Sequence, residues 1–250
     1  VLTKDLKPGH QLPSTFGQSI KNCNISKFGI AHGIVFGDGS ASEYGSSVRL
    51  CGDKNHELRQ YFNNSIEYIC GDNGDPIVGC LPSFFKEKPS LNLEKPYLFG
   101  WLAGYFAADG SVKEQGDIRL GSADINNLKF VRDVCVKLGI GYSNIIHQDR
   151  IGIGQTEPSR FYSIALNGYD LTPEFFLIKE HRDRFNNHNY LARKDYKVES
   201  IEETDRFEEV FCAEVPETHS FVLEGNILTG NCWTTNIATI EDIVFLVTES

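Results

Sequence analysis

Two stretches of the chain are almost wholly apolar, and both stop at the same three residues. The first reads Phe28-Gly-Ile-Ala-His-Gly-Ile-Val-Phe-Gly and runs into Asp38-Gly-Ser. The second reads Phe99-Gly-Trp-Leu-Ala-Gly-Tyr-Phe-Ala-Ala and runs into Asp109-Gly-Ser. The residues after each stop are also alike, with SSVRLCGDKNHELRQYF (46–62) opposite GDIRLGSADINNLKFVRDV (116–134). The patterning therefore predicts, twice over, an apolar helix, an Asp-Gly-Ser stop, a strand carrying Val-Arg-Leu or Ile-Arg-Leu, and an amphipathic helix. Units of that order, 71 residues apart, describe duplicated domain halves and not a solenoid. A different pattern takes over near residue 200. Short β-type runs at 210–215, 220–223 and 227–229, with Gly225-Asn226 as a turn pair, predict a small strand-rich segment.

Within the two apolar helices small residues recur at every fourth position: Gly29, Gly33 and Gly37 in one, Gly100, Gly104 and Ala108 in the other. That spacing puts them on one helix face, where missing side chains let another backbone come close. A helical glycine costs about 1 kcal/mol relative to alanine, so matched triplets predict two helices packed tightly about a pseudo-twofold axis. Asp38 and Asp109 would then lie side by side where both helices end. Carboxylates there face the negative ends of two helix dipoles and repel each other, so a cation is needed to hold them. Hard oxygen ligands favour Mg²⁺, which keeps waters and bridges to phosphate. The plainer alternative is a helix stop in which Gly39 and Gly110 take the C-cap and each Asp starts a turn; two motifs in register favour the cation.

Composition narrows the setting. Hydrophobic residues make up 40% and charged residues 23% of 250, which describes a folded globular chain. The longest apolar run, 97–108, is 12 residues, too short for a bilayer, and no charged-then-apolar leader opens the chain. Seven scattered Cys without a Cys-x-x-Cys argue for a reducing compartment and against a zinc ribbon. A cytoplasmic protein with no membrane partner is expected. Methionine is absent and the first residue is Val1, so the chain is expected to be a piece of a longer one. The net charge of −10 is unevenly spread: residues 1–200 are neutral, whereas 201–250 hold Arg206 alone against 11 acids. The neutral part remains compatible with DNA, and the break suggests a boundary near residue 200.

The paired segments resemble the motifs of LAGLIDADG (dodecapeptide, DOD-type) homing endonucleases, with WLAGYFAADG the closer match and IAHGIVFGDG the more divergent. The resemblance implies an α+β fold: an αββαββα duplication whose strands lie in the DNA major groove. It also implies one Asp from each motif, Asp38 and Asp109, binding Mg²⁺ over the scissile phosphates of double-stranded DNA. Both halves sit in one chain, so the nuclease is expected to act as a monomer. The family usually has a Lys just ahead of a Pro before the second motif, but Leu81-Pro82 follows Gly79-Cys80. Lys86 and Lys88 are the available substitutes. Candidate DNA contacts are Arg49 and Arg119, at matching strand positions, and the later cluster Lys179, Arg182, Arg184, Arg193, Lys194 and Lys197.

A second chemistry is available at Asn231-Cys232. An Asn side-chain amide can attack its own backbone carbonyl, forming a succinimide and breaking the chain, while a neighbouring thiol can accept an acyl group. His219 can donate the proton the leaving amine needs. His219-Ser-Phe, Gly225-Asn-Ile-Leu and Asn231-Cys232 resemble the C-terminal splicing blocks of inteins, whose domain is the all-β Hint fold. Gly230 stands where that family usually has His, and Cys212 where it usually has Asp. Cys212, with Thr229 two residues before Asn231, is similar to inteins that begin splicing from an internal Cys. The resemblances imply a Hint segment at 1–25, an inserted endonuclease at 26–197 (halves 26–95 and 96–197), a C-terminal Hint segment at 198–231, and host sequence at 232–250. The implied partners are DNA, an upstream intein segment and the host exteins. The rival reading is a non-cleaving nucleic-acid binder or RNA maturase on the same saddle, with an inactive Hint relic.

Overall fold

Both apolar stretches are helices, α1 (Lys27–Asp38) and α2 (Lys95–Asp109). Ser26 starts α1 by accepting the Gly29 N–H at 3.1 Å, and Pro96 opens the first turn of α2, where its missing N–H is harmless. The two starts are tied together, since the Ser26 N–H donates to Pro96 O at 3.1 Å. From there the backbones run in contact. A Cβ at Gly29 would lie 2.5 Å from Tyr97 O, and one at Gly33 would lie 2.6 Å from Tyr105 N and closer still to Trp101 O. At Gly37 the obstacle is Ala108 Cβ, 2.5 Å away. Gly100 and Gly104 meet the backbone of Ser26 and Ile30 in the same way. The partners advance together along both chains, so the helices are parallel and end at the same level.

The computed structural model describes residues 5–14, 24–52, 57–62, 66–69, 76–150, 157–191, 196–202, 215, 220–223, 227–230 and 247–248. The chain forms two compact units, one comprising Val1–Phe16 and Arg193–Ser250 and the other Gly17–Ala192. In the larger unit α1 leads into β1 (Gly39–Ser42), β2 (Gly45–Arg49), β3 (Ile66–Ile69) and β4 (Pro76–Leu81). Correspondingly α2 leads into β5 (Gly110–Val112), β6 (Ile118–Ser122), α3 (Ile125–Leu138), β7 (Ile146–Arg150) and β8 (Ser159–Ala165), with α4 (Lys179–Asn186) last. The two antiparallel sheets have the same order, β1-β2-β4-β3 and β5-β6-β8-β7. The duplication read from the sequence is thus a duplication of topology.

Each sheet turns one face to the core, with Val48 and Val78 from the first sheet and Val112, Ile118, Leu120 and Ile164 from the second. Leu128, Val131, Val134, Cys135 and Leu138 bury one stripe of α3, which Asp124 caps at its start and left-handed Gly139 at its end. Trp101, Tyr105, Phe99 and Phe106 are fully buried around α2, each worth roughly 1.5–3 kcal/mol of transfer free energy. The ring of His32 is buried among them, stacked 5.0 Å from Phe85. Its Nε2–H donates to Glu87 O at 2.9 Å, which leaves Nδ1 to accept from the Tyr97 hydroxyl at 2.8 Å. Burial pushes its pKa below the ordinary 6.5, so the ring is neutral. No helix among the described residues is long and apolar enough to cross a membrane.

The smaller unit is built of strands from both ends of the chain. Gln11–Leu12 pairs antiparallel with Tyr196–Val198, which pairs in turn with Val247–Thr248. Ser220–Leu223 and Ile227–Gly230 form a hairpin, and Ser14 bridges to Ile227 while Leu228 N–H donates to Pro13 O.

Gly33→Ala is expected to destabilise the protein by about 2 kcal/mol, although alanine is the better helix former by about 1 kcal/mol. Urea denaturation measures the sum, and an unchanged or raised midpoint would mean that the backbones are not in contact.

Candidate functional site

The shared end of α1 and α2 holds the acid pair. Asp38 and Asp109 are the last residues of their helices and both are exposed. The glycines after them are not left-handed caps. Gly39 (φ −86, ψ 173) and Gly110 (φ −89, ψ 166) are extended, so the chain passes directly from helix into β1 and β5. Both glycines cap their helices, with N–H donated to Val35 O and Phe106 O, and both answer to space: a Cβ at Gly39 would lie 2.8 Å from Ser47 O. Asp109 Oδ2 is 3.1 Å from where a Cβ on Gly37, the residue before Asp38, would stand. The parallel packing has carried the second carboxylate to the foot of the first.

A third charged group belongs to this cluster. Lys86 ends the 3₁₀ turn Ser83–Lys86, and its Nζ donates to Phe36 O at 2.6 Å and Val35 O at 3.2 Å. It thereby satisfies Phe36 O, a carbonyl that the last turn of α1 leaves open, and shares Val35 O with the Gly39 N–H. Burial lowers its pKa, opposed by the charges of Asp109 and Asp38, which favour the ammonium. Of the two substitutes for the missing family lysine, only Lys86 lies here, whereas Lys88 donates to Asn126 O and lies over the Phe130 ring. The sequence leaves the choice between them open, because it depends on the turn after Pro82.

One lysine against two carboxylates leaves the cluster negative. Among the described residues no group of three or more His, Cys, Asp or Glu side chains could enclose a metal. Two hard oxygen donors therefore fit a cation whose remaining ligands are water and phosphate oxygens, as Mg²⁺ accepts, and do not fit a closed protein cage.

The basic residues are dispersed. Arg49 and Arg119 point away from the core, but they are not register equivalents: Gly39 pairs with Val48, and Gly110 with Leu120. Arg119 therefore matches Ser47 across the duplication, and Arg49 matches Gly121. One residue of the offset arises from the hairpins, since Gly39 and Val48 are 9 residues apart whereas Gly110 and Leu120 are 10, and one from the arginines, which follow Asp38 by 11 and Asp109 by 10. Two residues is a whole strand period, so both still face outward. Arg119 Nε donates to Asp117 at 2.6 Å. On α4, Lys179 pairs with Asp183, and Arg184 pairs with Glu180 and donates to Val112 O. The charge of Arg182 bears on Tyr61, and the Lys179 backbone N–H donates to Glu57 at 2.5 Å. These cations join α4 to its surroundings. Lys197 and Thr229 belong to the smaller unit, where Thr229 pairs with Phe221 across the hairpin. Arg193, Lys194, Cys212, His219, Asn231 and Cys232 lie outside the described residues.

Residues 96–190 match the family described as a LAGLIDADG-like domain. The ribonucleoside-diphosphate reductase large subunit of Invertebrate iridescent virus 6 is 27% identical over 253 residues, covering 92% of this chain, and the chain spans 26% of that relative's length. Similar solved structures include the homing endonuclease I-DmoI in complex with DNA and Ca (10% identity, TM-score 0.39, 65% of this chain and 97% of that one). Another is the N-terminal LAGLIDADG domain of DUF199/WhiA (12% identity, TM-score 0.37, 55% of this chain and 74% of that one).

Replacing Lys86 by Met removes two hydrogen bonds from a charged donor and is expected to cost about 2 kcal/mol of stability. Lys88→Met, at an exposed site, should cost well under half as much. Denaturant titration of both variants compares them directly, and equal losses would deny Lys86 its place against the end of α1.

Proposed function

We propose that residues 17–192 bind double-stranded DNA and hydrolyse it at the shared end of α1 and α2. The observation that carries this reading is the meeting of Asp38, Asp109 and Lys86 at one point of a duplicated scaffold. Asp38 and Asp109 would hold Mg²⁺, which when bound polarises phosphoryl oxygens and makes water a better nucleophile. The carboxylates, one from each half, set the two strands of a duplex in equivalent positions. Lys86 places a positive charge beside them, where it would stabilise negative charge developing on the phosphate. The LAGLIDADG-like match over 96–190 supports this reading for the second half.

Asp38→Asn and Asp109→Asn are each expected to reduce double-strand cleavage by about 100-fold or more while duplex binding persists. The substrate is duplex DNA carrying the uninterrupted host coding sequence, and chelation of divalent metal should act like either substitution. Binding by the unaltered protein without Mg²⁺-dependent cleavage would establish the non-cleaving binder or maturase instead.

For residues 1–16 and 193–231 we read a splicing unit into which the DNA-binding unit is inserted, with 232–250 as host sequence. The pairing of 11–12 with 196–198 favours this, because both flanks of 17–192 contribute to one sheet. A relative named for a different activity, of which the chain spans about a quarter, fits insertion into a host; that host would be a ribonucleoside-diphosphate reductase large subunit. The side-chain nitrogen of Asn231 attacks its own carbonyl, the bond to Cys232 breaks, and the Cys232 amine leaves with a proton from a group such as His219. Asn231→Ala in a precursor with both flanks is expected to leave the bond to Cys232 intact. Mass spectrometry of the products decides, since release of the segment beginning at Cys232 from that variant would exclude cyclisation.

A further inference from the structure

Strand alternation divides the second-half sheet into two faces. Val112, Ile118, Leu120 and Ile164 are buried on one. The register puts Arg119, Gly121, Ser163, Phe161, Gln148 and Arg150 on the other, with Gly121 opposite Ser163 and Gln148 opposite Phe161. On this outer face the side chains form a stack. A Cβ at Gly121 would run into the tip of the Phe161 ring, so the ring lies over bare backbone there. The guanidinium carbon of Arg150 is 4.3 Å from the centroid of that ring, which is cation–π distance. Gln148, two residues earlier on the same edge strand, sets its side-chain amide beside Nε and Nη2 of Arg150, and the amide orientation that satisfies both groups is the one with its oxygen toward them. Arg150 is nevertheless exposed.

Two features mark this arginine. Among the described residues no carboxylate is paired with it. Asp149, beside it, lies on the opposite face with Arg160 at 3.6 Å, whereas Arg119 is held by Asp117 at 2.6 Å. It is also oriented in advance, because ring and amide restrict a side chain that would otherwise lose much rotamer freedom on binding. Gln148 occupies the Nε edge and leaves Nη1 and one hydrogen of Nη2 directed elsewhere. On the first-half sheet Ser40, Ser42, Ser47, Arg49 and Ile77 are among the outward positions, and the Ser40 and Ser47 hydroxyls are bonded to each other at 3.1 Å.

We propose that Arg150 is a specificity-determining residue that reads a guanine in the major groove of duplex DNA, donating to O6 and N7 from the nitrogens Gln148 leaves open. Phe161, Gly121 and Gln148 are positioning residues that hold it. This rests on the reading of residues 17–192 as a DNA-binding unit. A phosphate contact would use the same donors but would weaken all sequences alike, whereas a base contact changes preference at one position.

The test is selection of binding sites from a randomised duplex library by the full chain, with divalent metal removed so that bound DNA stays intact. The unaltered protein should select a site with a fixed guanine at one position. Arg150→Ala should lower the preference for that guanine about tenfold or more and leave the other positions as they were. Phe161→Leu, which keeps an apolar side chain on the sheet, should give a smaller loss at the same position, and Arg160→Ala, on the opposite face of the sheet, should give none. Uniform weakening by Arg150→Ala, or no change, overturns the assignment while the DNA-binding reading stands. Failure of the unaltered protein to select any sequence overturns both.

Discussion

The contact between the backbones of α1 and α2 is the constraint on which the larger unit depends. At Gly33 and Gly104 there is no room for a methyl group, because carbonyls of the facing helix occupy the space a Cβ would need. Helices that close cannot slide by a residue without driving a side chain into backbone. Their relative height is therefore fixed, and so is the coincidence of their ends. Around this seam the larger side chains are displaced to the flanks, where Phe36 packs edge-on against Tyr105 at 5.0 Å and tilted against Trp101 at 5.2 Å. The seam brings the backbones together, and the aromatic flanks supply the buried apolar area.

Extended glycines translate this alignment into function. Gly39 and Gly110 let each helix pass straight into the first strand of its sheet, so the two sheets begin on either side of the acid pair. A left-handed cap at either position would redirect the strand and break the correspondence between halves. The electrostatics follow from the same placement. Two carboxylates at negative helix ends are unfavourable alone, and Lys86 offsets part of this by binding the last carbonyls of α1.

The duplication is one of topology and not of surface. Both sheets share one strand order, yet equivalent positions carry different chemistry: Ser47 stands where the other half has Arg119, and Arg49 where it has Gly121. The core faces match because both must pack on the same helix pair. The outer faces are free to differ.

Periodicity and small-residue spacing determined a good deal unaided. The paired helices, their glycine faces, the acids at their ends and the 220–223/227–230 hairpin were all legible, because each is a local pattern or a repeat of one. Position in space was not. That Lys86 and not Lys88 joins the acids follows from the turn after Pro82. That Lys179 and Arg184 serve α4 follows from acids one helical turn away, a pattern present in the sequence but ambiguous without a neighbour for the helix. The Val-Arg-Leu and Ile-Arg-Leu segments look equivalent as text, yet strand pairing places them two residues out of register. Arg150 carried no signal at all, since its setting is made by Phe161 and Gly121 on other strands. Chain pattern determines which faces are buried, because burial follows local period; which exposed charges meet is decided by packing between segments far apart in sequence, and only the tertiary structure contains that.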